Sequence, residues 1–189
     1  ETYLNKFKSS AQQVEKLAGK KGIWGYGQDV SDRSPSQPAE IYAPKAAPYI
    51  MWNYYKEIGY PRIKNMDDFV GVLKRMQDQA RKDTGKNDIW ALSLFKDWDG
   101  NAMANAQIMT NWYGFWQEGQ VLAYGNGSKQ QTALDRNGIY IKMLKFLHKC
   151  EAAGIVDPDS STQSWDQRTT KMNNEKILMT FWSWDGKLK

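Results

Sequence analysis

The run Ile89-Trp90-Ala91-Leu92-Ser93-Leu94-Phe95 is apolar except at Ser93 and is closed at both ends by polar turn residues. Such a run reads as a buried strand, and it falls far short of the roughly 18 residues that a membrane helix needs. A second run, Lys176-Ile177-Leu178-Met179-Thr180-Phe181-Trp182-Ser183-Trp184, reads as a closing strand. Between and around them the apolar spacing changes to a helical period. The clearest case follows Asn65, which can cap a helix: Asp67 and Asp68 suit its positive end, and Phe69, Val72, Leu73, Met76 and Ala80 share one face. Residues 134–153 form a longer predicted helix with Tyr140, Met143, Leu144, Leu147 and Cys150 on its stripe and Gly154 as its stop.

Shorter helices are predicted over residues 4–17, over 102–113 up to Gly114, and over 165–173. Residues 49–58 are aromatic and apolar and end at Gly59-Tyr60-Pro61. A short strand is expected over 22–27, a surface loop over 31–48, where four of the six prolines fall, and a turn or hairpin over 119–127. Strands separated by helices define a helix-rich α/β domain with a small central sheet flanked by helices.

A chain of 189 residues with 41% apolar content builds one ordinary domain. Nine Trp, ten Tyr and six Phe supply the large buried areas that a disordered chain lacks. No segment has the basic, apolar, small-residue order of a signal peptide. Glu1 at the start and Gly186-Lys187-Leu188-Lys189 at the end read as cuts within something longer. With one cysteine, Cys150, no disulfide forms within the chain, and one cysteine with one histidine, His148, cannot make a tetrahedral zinc site. The net charge of +5 is dispersed, with Lys16, Lys20 and Lys21 near the start and Lys142, Lys145 and Lys149 on a predicted helix. Acids are interleaved, whereas a surface that tracks nucleic-acid phosphates needs clustered charge, so nucleic acid is not the expected partner.

Three segments carry a resemblance: Gly22-Ile23-Trp24-Gly25, the stretch Pro48-Tyr49-Ile50-Met51-Trp52-Asn53-Tyr54-Tyr55-Lys56-Glu57-Ile58-Gly59-Tyr60-Pro61, and Asp157-Pro158-Asp159-Ser160-Ser161-Thr162-Gln163. In order and spacing the chain, from about residue 3 to 184, resembles the extracellular solute-binding lipoproteins of Gram-positive ABC importers, in the family-1, sugar-receptor-like group. Met51 and Asn53 stand where such proteins often carry Arg and Asp, so no ion pair is implied there. The resemblance implies a type II periplasmic-binding-protein-like clamshell, of which residues 1–189 form the second lobe, with crossing segments near 22–30 and 177–186. It implies a receptor rather than an enzyme. Carbohydrate is captured between the lobes and passed to ABC permease subunits, at a cell surface to which an upstream lipid anchor holds the protein. No cofactor is implied.

Sugar recognition needs flat aromatic faces for the apolar side of a pyranose and planar polar groups for its hydroxyls. The loop Asp97-Trp98-Asp99-Gly100-Asn101 follows a predicted strand, where clefts of open α/β sheets lie. Trp98 is the candidate platform, with Asp99 and Asn101 as hydroxyl partners. The competing reading packs Trp98 on the next helix and leaves the acids as its caps. Trp182 and Trp184 alternate along the closing strand, so they share a face, with Phe181 and Ser183 opposite. Core packing competes with ligand contact for both. Trp24, on the first crossing segment, and Trp165 complete the candidate set, while Trp52 and Trp90 read as core, and for Trp112, Tyr113 and Trp116, near a helix end, packing is favoured over ligand contact.

The spacing of Asp97, Asp99 and Asn101 resembles a calcium loop only superficially, because Ile108 stands where a twelfth-position Glu belongs. No metal is expected. The alternative from another class is a carbohydrate-active enzyme domain using paired aspartates, Asp97 with Asp99 or Asp157 with Asp159.

Overall fold

The computed structural model describes residues 5, 7–25, 46–98, 103–118, 120–124 and 128–185. The chain divides into two units, Glu1–Tyr42 and Ala43–Lys189.

In the first unit, helix α1 spans Lys8–Ala18 and stops at Gly19, whose φ of 64° is left-handed and free of a Cβ penalty. The chain then turns back on the helix end. The Gly22 N–H donates to Glu15 Oε1 (2.9 Å) and the Trp24 indole N–H to the Lys20 carbonyl (2.9 Å). These local bonds hold residues 22–25 out of any ladder, so the strand expected there does not form, and the Trp24 ring stays exposed. Residues 26–30 of the expected crossing segment lie outside the described residues.

The second unit is a mixed, helix-rich α and β fold. Its elements run β1 (Ala46–Ile50), α2 (Trp52–Glu57), α3 (Met66–Thr84), α4 (Met103–Met109) with a 3-10 turn (Thr110–Tyr113), β2 (Phe115–Glu118), β3 (Val121–Tyr124) and β4 (Gln130–Thr132). Helix α5 (Ile139–Ala152), a second 3-10 turn (Pro158–Ser161), α6 (Trp165–Asn173) and β5 (Met179–Trp182) follow. Among the described residues there are two small antiparallel sheets, β1 with β5 and the meander β2-β3-β4.

The run 89–95 joins these parts without becoming a full strand. Trp90 N–H donates to Lys176 O (2.8 Å), and Leu178 N–H donates to Trp90 O (3.0 Å). On the other side, Leu92 N–H donates to Ile155 O (3.0 Å), and Asp157 N–H donates to Leu92 O (2.8 Å). The run is thus bridged in parallel to the segments ending at Val156 and beginning at Ile177, one residue pair on each side. Its side chains at 89, 91, 92, 94 and 95 are buried.

Helix α3 covers this layer with the stripe that its spacing predicts: Phe69, Val72, Leu73, Met76 and Ala80 are all buried. Asn65 caps it by accepting from Asp68 N–H (2.8 Å), and Gly85 ends it with a φ of 68°. Gln77 is fully buried on the same face. Its Nε2 donates to Gly154 O (3.0 Å) and its Oε1 accepts from the buried Ala91 N–H (2.9 Å), so one carboxamide satisfies two backbone groups.

Three expectations are corrected. The loop expected over 31–48 is overturned at 46–48, where β1 begins at Ala46 as an edge strand with Pro48 in a register irregularity between Ala46 and Tyr49, while residues 31–45 lie outside the described residues. Pro lacks an N–H, which is tolerated at an edge or a bulge. Trp52 is 58% exposed rather than core and packs its ring against Tyr55 (5.4 Å) and Tyr60 (5.3 Å). Helix α5 begins at Ile139, not near 134, because Asp135 and Gly138 spend their amides on turns and Ile139 N–H is held by Gln131 Oε1 (2.7 Å). Its fully inward face is Ile139, Met143, Phe146 and Cys150, with Phe146 stacked on Phe69 (6.0 Å).

Candidate ligand-binding site

At the end of the run 89–95, buried Phe95 packs against the indoles of Trp98 (5.0 Å), Trp165 (5.0 Å) and Trp182 (5.9 Å). Trp98 lies 4.5 Å from Trp165, 5.8 Å from Trp182 and 5.9 Å from Trp184, centroid to centroid. Trp165 and Trp182 are 6.0 Å apart, and Trp184 is 5.5 Å from Trp165 and 5.6 Å from Trp182. Three separate segments therefore bring four of the candidate tryptophans into one cluster. Offset and tilted aromatic pairs of this kind each contribute about 0.5–1.5 kcal/mol beyond their burial.

Several devices fix the segments. Asp97 Oδ1 accepts from Trp165 N–H (2.6 Å), which ties the loop after Phe95 to the first residue of α6. Ser164 and Gln167 close the same helix start with a capping box. The motif Asp157 to Gln163 anchors the run from beneath. Gln163 Nε2 donates to Leu94 O (2.7 Å) and to Ser93 Oγ (2.7 Å), Ser160 Oγ accepts from Leu94 N–H (3.1 Å), and Ser93 Oγ donates to Asp157 Oδ2 (2.8 Å).

Asp157 is buried and receives Lys171 Nζ at 2.7 Å, an ammonium that also reaches Asp159 at 2.7 Å. Burial pushes the Asp157 carboxyl up, but bonds from Lys171 and Ser93 outweigh it and hold the group below the ordinary aspartate value. The two aspartates are thus clamped on one cation.

Behind the indoles, Arg168 and Asp185 form a fully buried ion pair, Nη1 to Oδ2 2.5 Å. The guanidinium lies 5.2 Å from the Trp165 ring centroid and its Nε donates to Ser93 O (3.2 Å), while Thr180 Oγ1 donates to Asp185. Burial lowers the Arg168 pKa, against the pull of Asp185.

A cavity of about 250 Å³ opens beside the cluster, walled by Phe95, Trp98, Trp182, Ile108 and Trp116. Among the described residues its polar lining is four carboxamides, Asn105 and Gln107 from α4, Asn111 from the 3-10 turn and Gln117 from β2. None of these lining residues is ionisable. Trp116 is 65% exposed, Trp184 57% and Trp98 43%, so apolar faces meet solvent at and near the rim. Such a surface can stack on a flat apolar face and exchange hydrogen bonds with hydroxyls.

Of the candidate residues, Trp98 and Trp182 line the cavity, whereas Trp165 and Trp184 belong to the cluster. Asp99 and Asn101 lie outside the described residues. Trp24 belongs to the first unit. The expected strand alternation of Trp182 and Trp184 is corrected: β5 ends at Trp182, all four of its residues are buried, and a turn brings Trp184 back to the same cluster. Trp116, for which packing is the favoured expectation, is a wall of the cavity instead, and nothing in the residue order singles out the carboxamides. Asn and Gln are common surface residues, and these four converge only because the β2–β3 hairpin follows directly on the α4 turn. Trp112 packs into the core on Phe181 (5.8 Å), and Trp90 is half-buried with Arg81 over its ring (4.6 Å).

Among the described residues no group of three or more His, Cys, Asp or Glu side chains could hold a metal ion, and no helix is long and apolar enough to cross a membrane. Cys150 is buried, which pushes its thiol up to about 12. Comparison with protein families, with characterised proteins and with solved structures found no match for this chain.

Proposed function

We propose that this chain is one lobe of an extracellular solute-binding receptor of the lipid-anchored kind that serves bacterial ABC importers. In this reading it is a type II clamshell lobe that captures a carbohydrate against a second lobe and hands it unchanged to the permease. The observation that carries the proposal is the cavity walled by Trp98, Trp116 and Trp182 and lined by four neutral carboxamides. Indole faces suit the C–H side of a pyranose, and carboxamides both donate to and accept from hydroxyls. Among the described residues the lining carries no charge, which favours a neutral, hydroxyl-rich solute. The exposed rings of Trp98, Trp116 and Trp184 are surfaces that closure of a second lobe would cover, and burying them would add to an affinity that the recess itself provides.

The enzyme alternative gains no support from its aspartates. Asp157 and Asp159 share the Lys171 ammonium, and Asp97 caps α6.

The test is a thermal-shift screen of the chain with neutral oligosaccharides, followed by chromatography of each stabilising glycan. A glycan that raises the melting temperature and is recovered intact supports the receptor. Conversion of that glycan to product, or no stabilisation by any of them, refutes it.

A further inference from the structure

A second cavity, sharing no residue with the aromatic one, lies between the start of α3 and one face of α5, with a volume of about 520 Å³. Its charged lining is Lys64, Lys142, Lys145, Lys149 and Asp67, with His148 alongside. Met66, Tyr113 and Phe146 supply its apolar part. Four ammonium groups thus face one carboxylate. Lys142, Lys145 and Lys149 are spaced three and four residues apart on α5, so they rise from a single helix face, where like charges destabilise one another.

The acids nearby neutralise only part of this field. Asp67 pairs with Lys149, and the Asp68 carboxylate accepts the Lys64 main-chain N–H (3.0 Å). Lys142 rests over the Tyr113 ring, 4.4 Å from its centroid. Lys64, Lys142 and Lys145 make no ion pair with any described residue. The N-terminal end of α3, a helix of 19 residues, adds its partial positive charge to the same cavity. Folding leaves this concentration of positive charge only partly compensated, and an anion seated there relieves the remainder.

We infer that this cavity binds a compact, multiply charged phosphate-type anion from solution. Its volume is in the range of small-molecule sites, and its lysines converge from two elements on a recess rather than spreading over a flat face, which favours a small ligand over a membrane. Lysine ammoniums act as mobile point charges, suited to oxyanions of tetrahedral shape.

The test is calorimetric titration of the full chain with pyrophosphate, with ionic strength held constant by potassium chloride. Saturable binding is expected. Lys142→Gln with Lys145→Gln should weaken it about tenfold or more, Asp67→Asn should tighten it, and Lys82→Gln, outside the cavity, should leave it unchanged. Should the double variant fail to fold, Lys64→Gln alone serves, with a weaker loss expected. Heat no greater than that of chloride overturns the inference. So does undiminished affinity in the folded lysine variants, or retention on phosphatidylglycerol vesicles without pyrophosphate binding.

Discussion

The carboxylate of Asp97 accepts the main-chain N–H of Trp165 across 2.6 Å, and by that bond the loop holding Trp98 is fastened to the helix holding its ring partner. One acid therefore serves both as a helix-end acceptor and as the positioning group of the indole cluster. Asp97→Ala is expected to cost about 1 kcal/mol in urea unfolding, the usual value of a lost cap. Its near-ultraviolet circular dichroism should also lose the signal of coupled indoles. An unchanged aromatic spectrum would show that the ring geometry does not depend on this bond.

Trp98 itself sits at a φ of 58°, a left-handed conformation that costs a residue with a Cβ about 1–2 kcal/mol. Trp98→Gly and Trp98→Ala remove the same ring, but only glycine relieves the backbone. The glycine variant should therefore be the more stable of the two by about 1 kcal/mol in chemical denaturation. Equal stabilities would mean that the loop relaxes once the ring is gone.

The buried Arg168–Asp185 pair supports the cluster from behind, and removal of either partner leaves the other charge in a dry site. Arg168→Met or Asp185→Leu should each destabilise by about 3–5 kcal/mol. The combined variant Arg168→Met with Asp185→Leu should recover much of that loss. A double-mutant cycle in urea checks the coupling. Additive single losses would contradict it.

Asp157 gives the stability a defined acid limb. Its carboxyl is held below the ordinary aspartate value in the folded state, so its contribution is present above the unfolded pKa and is lost as pH falls through the folded one. Stability should therefore decline below roughly pH 4. Asp157→Asn should be less stable at neutral pH and should lose stability less steeply on acidification. Denaturant midpoints measured from pH 7 to pH 2 give both slopes, and parallel curves would contradict the assignment.

These supports were unequally visible in the residue order. Helix α3 is legible because a regular stripe, an Asn65 cap and a terminal Gly85 all agree. Helix α6 has its bounds for the same reason: Ser164 and Gln167 close its start reciprocally. Strand β1 is hidden because Pro48 argues against a ladder, and only its pairing to β5 with an irregular register makes room for it. The tryptophans of the cluster stand out in the residue order, since Trp98, Trp165, Trp182 and Trp184 each mark a segment end. The carboxamides do not, since Asn105, Gln107, Asn111 and Gln117 acquire a common wall only when α4, its 3-10 extension and β2 fold around one recess. Charge gave a similar lesson: the lysines of α5 look dispersed along the chain, but Lys64 reaches them from a distant segment.

The central claim is that the recess beside Trp98 takes up a neutral glycan. Intrinsic fluorescence titration with the most stabilising oligosaccharide reads it directly, because indoles line the wall and crowd the rim. The account predicts saturable quenching in the native chain and about tenfold or greater weakening in both Trp116→Ala and Asn111→Ala, two variants whose side chains lie outside the buried core. Quenching that persists with the same midpoint in both would contradict it.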